Sequence, residues 1–255
     1  MPTEVVTMAL VVYADFGSPA CYLAGRRVDA LVAAGVPVDW RAVESDPRLP
    51  VVGRGMEVAA RDALERELGS LESLLLPGEE LPRSLPGFRP NTRAAVAGYA
   101  EAYGAGAADD VRRLLFDAYW MRGADIGSPE TLRRLLAGPL LRGSSTSVPV
   151  SEFGYAVSPS RGPITTGAWQ RIRDWSAEKG ALGTRPLPLL VVDGWQPVSG
   201  ETALRRLEKE IMRVEAAVDP VLPDPGRYPA VGDPPSLPWI SEIGGQWRHA
   251  WKVGA

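Results

Sequence analysis

Asp15-Phe16-Gly17-Ser18-Pro19-Ala20-Cys21-Tyr22-Leu23 decides how the rest of this sequence is read, because it joins an apolar run to a helical pattern and holds the chain's single cysteine. The run before it, Met8 to Tyr13, is apolar and partly β-branched, as a buried strand requires. After it, Tyr22, Leu23, Val28, Leu31 and Val32 recur at helical spacing, so the stretch is a strand-to-helix junction. Ser18 before Pro19 predicts an N-cap followed by proline at the first helical position, where the missing N–H has no partner to lose. Cys21 then falls in the first helical turn. The helix N-terminus lowers a thiol pKa there and burial raises it, so two readings stand: a reactive sulfur, or a buried small hydrophobe.

Outward from this junction, Gly35 ends the helical pattern and Val36 to Val43 alternates as a second strand, completing a βαβ opening. From about Met56 to Leu76 the apolar residues fall at helical intervals, and Pro77, Pro82, Pro86 and Pro90 then impose a loop. Asn91 predicts a cap for a helix through Tyr103 that stops at Gly104. Val111, Leu114, Leu115, Ala118 and Tyr119 share one face of a helix closing at Arg122-Gly123. Ser128-Pro129-Glu130 starts another, through Leu132, Leu135 and Leu136, that ends near Gly138. Residues 52–140 thus read as an all-helical block. Gly143 to Pro163, rich in serine, glycine and proline, reads as an extended loop, a surface excursion rather than a lid. Trp169, Ile172 and Trp175 line a helix stopping at Gly180; Leu187 to Gly194 gives a buried strand and turn, Trp195 to Ser199 its hairpin partner. A last helix carries Leu204, Leu207, Ile211, Val214 and Val218, and a proline-rich tail follows with Trp239, Trp247 and Trp251. Tryptophans in such a tail are expected to pack on the domain or on a second subunit, which leaves a homodimer open.

Composition narrows the function classes. With 255 residues, 45% hydrophobic and 23% charged, the chain is an ordinary globular protein able to bury a sizeable core. Net charge is −3 and no basic stripe forms, so a nucleic-acid partner is not expected. No apolar run approaches the roughly 20 residues a membrane span needs. One cysteine excludes an internal disulfide framework, and a start without Lys or Arg before a short apolar run does not build a secretory signal; the expected compartment is the cytoplasm. With one cysteine and one histidine, His249, an ordinary zinc site cannot be assembled within the chain, and no G-x-S-x-G elbow or phosphate-binding glycine motif lies at a βα turn.

The order βαβ, helices, then helix–β–β–helix is that of an α/β thioredoxin-like fold with an inserted all-helical domain, and several strings resemble the DsbA family, most of all its FrnE-like branch. They are Asp15 to Tyr22, Asp39-Trp40-Arg41-Ala42-Val43 with Pro47 and Pro50 after it, Asn91-Thr92-Arg93-Ala94-Ala95, Leu115-Phe116-Asp117-Ala118-Tyr119 with Gly123, Asp125-Ile126, and Leu187-Pro188 with Val198-Ser199-Gly200. The resemblance spans about Val11 to Val218. It divides the chain into a thioredoxin-like domain of residues 8–51 and 164–218, a helical insertion and loop of 52–163, and the tail of 219–255. It also implies a cis proline opposite the active-site turn, at Pro188, with Pro186 the competing position.

The departure from the family matters as much. Redox-active members carry C-x-x-C at this turn; here Ser18 occupies the first position, and a hydroxyl does not replace a thiolate in attack on a disulfide. Simple dithiol oxidation is therefore not expected. The related 2-hydroxychromene-2-carboxylate isomerases and kappa-class glutathione transferases have a turn similar to Ser18-Pro19, whose serine hydrogen-bonds a thiol cofactor. What the resemblance implies is a site of Ser18, Cys21 and Pro188, with Phe16, Pro19 and Leu187 binding substrate or thiol. No metal and no firm cofactor follow, a low-molecular-weight thiol being the candidate, and the expected partner is a small-molecule or thiol substrate. Three functions remain open: thiol-linked oxidoreductase chemistry, a thiol-cofactor-dependent isomerase or transferase, and a non-catalytic binding protein.

Overall fold

The computed structural model describes residues 10–193 and 195–218. Met8 and Ala9 of the expected first strand, Gly194, and the tail with Trp239, Trp247, His249 and Trp251 lie outside the described residues. The first strand, β1 (Leu10–Ala14), is joined to the parallel β2 (Val38–Ala42) through α1 (Pro19–Ala33), with Leu10 opposite Val38 and Ala14 opposite Ala42. Ser18 caps α1 and Pro19 opens it, and Gly35, at φ 82°, turns the chain back toward β2. After the insertion, α7 (Thr166–Ala181) leads to β5 (Leu189–Val192), which lies antiparallel to β1 with Tyr13 opposite Leu189. A short β6 (Val198–Ser199) and α8 (Glu201–Val218) complete the sheet order β2-β1-β5-β6. The central strands β1 and β5 are almost wholly buried, which is why both read as apolar runs rather than alternating ones.

The insertion contains α2 (Val58–Glu72), α3 (Arg93–Gly104), α4 (Ala108–Phe116), α5 (Pro129–Arg142) and α6 (Val148–Phe153). It also contains a hairpin the helical reading missed: β3 (Arg54–Gly55) pairs antiparallel with β4 (Phe88–Arg89) and brackets α2. Two residues per strand leave no periodicity to detect. The cap of α3 is Thr92, not Asn91; Asn91 precedes it, accepting from the Arg93 N–H at 3.1 Å and donating to the Leu49 carbonyl at 2.8 Å. Beyond Phe116 the helix tightens into no regular end but widens into one π-helical turn, Asp117–Met121, in which the consecutive residues Ala118, Tyr119 and Trp120 are all buried. Gly138-Pro139 does not stop α5, which runs to Arg142; the lost N–H of Pro139 is outweighed by Leu140, fully buried one residue later. The loop expected from Gly143 to Pro163 contains α6, closed by Gly154 in the left-handed region at φ 64°.

Sheet and insertion share a single core. Phe116 of α4 lies within 5.0 Å of Phe16, 5.7 Å of Trp40 and 6.0 Å of Tyr22, ring centre to ring centre, in tilted and edge-on contacts. The Tyr99 hydroxyl of α3 donates to the Trp40 carbonyl of β2 at 3.0 Å. On the other side of α1, the fully buried Arg27 pairs with Glu79 at 2.8 Å and donates to the carbonyls of Leu74 and Leu204. One guanidinium thereby fastens α1, the loop after α2, and α8.

Candidate active site

The turn between β1 and α1 is built around the buried carboxylate of Asp15. One oxygen accepts from the Gly17 N–H at 2.9 Å, the other from the Ser45 N–H at 2.5 Å, so the turn and the segment after β2 are tied together. The Phe16 carbonyl accepts from the Trp120 indole N–H at 3.0 Å, which fixes the turn to the π-helical segment. A Cβ on Gly17 would lie 3.3 Å from the Thr92 methyl, so the turn also packs closely against the start of α3. Ser18 then sits with extended backbone, φ −103° and ψ 130°, and its Oγ accepts from the Cys21 N–H at 3.3 Å. That bond makes Ser18 the side-chain cap of α1, and the same hydroxyl lies close enough to the Cys21 sulfur to favour its thiolate.

The two halves of the Ser-Pro-Ala-Cys turn face different surroundings. Ser18 and Pro19 border a cleft of about 270 Å³ that is also lined by Met56 and by Ala60, Ala63, Leu64 and Glu67 of α2. Arg89 of β4, Ser45 and Tyr119 line it too. Cys21 is 0% exposed, its Sγ accepting from the Asp15 N–H at 3.4 Å. Burial pushes its thiol up to about 12, outweighing the Asp15 N–H and the Ser18 hydroxyl, both of which favour the thiolate. At neutral pH this sulfur is a packed thiol, not a nucleophile. Phe16 departs from its expected role as well: at 1% exposure it stacks on Phe116 and Tyr99, because the Asp15 clamp turns it inward. It serves the site through its carbonyl alone.

Pro188 is buried immediately before β5, and the Leu187–Pro188 peptide bond is cis. Since Tyr13 faces Leu189, Pro188 lies at the end of the sheet from which the Asp15–Ser18 turn leaves β1. Its carbonyl accepts from the Gly200 N–H at 2.8 Å, and Leu187 is half-buried against the core. The cleft residues that sequence reading missed are Ser45, Glu67, Arg89 and Tyr119. Tyr119 stood inside one of the family-like strings, and its hydroxyl donates to the Phe88 carbonyl at 3.1 Å. Glu67 and Arg89 gave no signal, because their place in the lining of this cleft depends on how α2 and β4 dock. Size does not select the site: depressions of about 680 Å³ beside Arg26 and Met212 and about 620 Å³ beside Val36 and Asp39 contain no residue of the turn.

Known proteins corroborate the architecture. A probable DsbA oxidoreductase from Streptomyces coelicolor superposes with a TM-score of 0.61 at 18% identity, over 84% of this chain and 92% of its own. A 2-hydroxychromene-2-carboxylate isomerase gives a TM-score of 0.57 at 21% identity, covering 82% of this chain and 97% of that one. The cytosolic disulfide reductase DsbM from Pseudomonas aeruginosa, in a structure with GSH, gives 0.53 at 14% identity, covering 82% and 98%. At these identities the likeness is one of fold. No curated protein matches the sequence significantly. The sequence profile of the DSBA-like thioredoxin domain matches residues 9–138, from β1 through the first part of α5, and so takes in the Ser18 turn and the cleft that faces it. The sheet order, the capped turn and this match over half the length together establish that the chain belongs to the family of DSBA-like thioredoxin domains.

Proposed function

We propose that this chain is a thiol-dependent isomerase or transferase that works without a protein thiolate. The reading rests on one contrast: the only thiol is sealed in the core while Ser18 lines a cleft. Ser18 is the residue that orients the sulfur of a low-molecular-weight thiol. Its O–H donates to that sulfur while its lone pair keeps the cap on α1, and the α1 N-terminus favours the negative charge. Donor chemistry and size fit such a guest, since the cleft is just below the usual range for whole small-molecule pockets and takes a thiol-bearing end rather than an entire large cofactor. The thiol supplies the nucleophilic sulfur; the protein binds it, orients it and supplies the apolar wall of α2 for the compound on which it acts. Pro19 borders the same cleft, and Leu187 and Pro188 border the end of the sheet where an extended thiol would run. Oxidation of dithiols is not part of this activity, because Cys21 has no second cysteine to work with. We place the protein in the cytoplasm, where such thiols are kept reduced, and in the FrnE-like branch on the strings that resemble it.

Calorimetric titration with glutathione and with N-acetylcysteine, followed in parallel by thiolate absorbance, tests the reading. The wild type is expected to bind at least one of them and to lower the pKa of the bound thiol. Ser18→Ala is expected to weaken binding of the thiolate about 10- to 100-fold, the worth of one hydrogen bond to a charged group. Binding of neither thiol, or disulfide-exchange turnover that survives Cys21→Ala, overturns it.

A further inference from the structure

Beyond Val43, whose N–H donates to the Ala14 carbonyl at 2.9 Å, the chain leaving β2 runs through residues 44–50 with neither helix nor strand to place it. It is nevertheless pinned at three points. The Ser45 N–H donates to the Asp15 carboxylate at 2.5 Å, Asp46 pairs with Arg89 at 3.7 Å, and the Leu49 carbonyl accepts from the Asn91 side-chain amide at 2.8 Å. The other oxygen of Asp15 holds the Gly17 N–H at 2.9 Å, so the backbone nitrogens of Gly17 and Ser45 are separated by one carboxylate and two hydrogen bonds. Asp15 is only 1% exposed, and the Ser18 N–H donates to its carbonyl at 3.3 Å, which ties Ser18 to the same anchor. Gly17, Ser18 and Ser45 all line the cleft. The Ser45 hydroxyl, unlike that of Ser18, has no hydrogen-bond partner among the described residues. We propose that Ser45 is the second hydroxyl of the thiol site, donating to the bound sulfur alongside Ser18. The inference rests on the reading of Ser18 as the thiol-binding residue.

An exposed serine in an irregular segment is ordinarily a solvated one; the anchoring is what sets Ser45 apart. A buried carboxylate is costly unless its oxygens are satisfied, and Asp15 meets that cost with donors from the two segments that border the cleft. The result is a hydroxyl held beside Ser18 before any ligand arrives, which spares the ordering entropy a loose loop would lose on binding. Hydrogen bonds donated to a thiolate favour the charged form, so a second donor both tightens binding of the thiolate and lowers the pKa of the bound thiol. The charged and titratable groups that share this setting are Glu67 of α2, Arg89 of β4 and Tyr119 in the cleft lining, Asp15 and Cys21 in the turn, and Glu44 next to Ser45. None of these changes when Ser45 is replaced, so the effect of its hydroxyl can be read alone.

Ser45 is exposed, and the N–H that Asp15 holds survives in alanine, so Ser45→Ala keeps the fold. Calorimetric titration with glutathione or N-acetylcysteine, whichever binds, is set against titration with the S-methyl derivative of the same thiol, which cannot ionise. At a pH where the bound thiol is a thiolate, Ser45→Ala is expected to weaken its binding about 10-fold, to leave the S-methyl derivative within about twofold of wild type, and to raise the pKa of the bound thiol toward that of the free one. Ser45→Thr, which keeps the hydroxyl, should restore most of the affinity. Equal losses for the thiol and its S-methyl derivative would assign Ser45 to packing and overturn the inference. Unchanged thiol binding in Ser45→Ala, where Ser18→Ala weakens it, overturns the inference while leaving the Ser18 reading standing; absence of thiol binding to the wild type removes both.

Discussion

Cys21 carries the clearest consequence at the scale of a residue. In the unfolded chain the thiol ionises near its ordinary value of 9.0, and in the folded chain near 12, so between those values the unfolded state sheds a proton that the native state keeps. The sign is therefore destabilising as pH rises: this contribution to stability is fully present below about pH 9 and declines by about 1.4 kcal/mol per unit until the folded thiol itself ionises. Urea unfolding from pH 8 to about 11 should show a shallower decline for Cys21→Ala than for the wild type, and the native protein should resist alkylation that the unfolded chain accepts; parallel pH dependences would contradict the burial argument. Ser18 was legible because serine before proline at a strand-to-helix junction has a cap geometry to satisfy. Phe16 was misread because an apolar side chain in a turn gives no sign of which way it points until the Asp15 hydrogen bonds are known. Glu67 was illegible as a cleft residue for a related reason, since which exposed residues of α2 border the turn is set by docking and not by local sequence.

At the scale of elements, helices with a clean apolar face or a Ser-Pro start were readable, α1, α5 and α7 among them, whereas features set by contact were not. The π-helical turn is one of these, for nothing local in Asp117–Met121 demands it; it delivers Tyr119 to the cleft and Trp120 to the Phe16 carbonyl in successive residues. The persistence of α5 through Pro139 is another, decided by burial of Leu140. Packing of α1 on α4 turns on Gly25, where an added Cβ would meet the Phe116 ring at 2.9 Å. That ring is confined by Phe16, Tyr22 and Trp40 and has little room to retreat. Gly25→Ala should therefore lower stability by about 1–2 kcal/mol despite alanine's better helix propensity, measurable by chemical denaturation; a stabilised variant would mean the α1–α4 contact is looser than described.

For the molecule as a whole, Arg27 and Glu79 hold segments that the sequence separates widely. Glu79→Ala leaves a fully buried guanidinium with carbonyl partners only, and should cost about 3 kcal/mol, a large share of the 5–15 kcal/mol a domain has in hand. Replacing both residues by leucine should cost less than that single change, and a double variant as unstable as Glu79→Ala would argue that packing rather than charge is at stake. The sheet's connectivity has a further consequence, one of timing. The β1–β2 pair is complete once Ala42 is made, but β5, which must cover the other edge of β1, begins only roughly 150 residues later. At the usual pace of synthesis the apolar edge of β1 is left uncovered for about 7–30 s in every nascent chain, a window in which a chaperone or a neighbouring nascent strand competes with β5 for the same backbone groups.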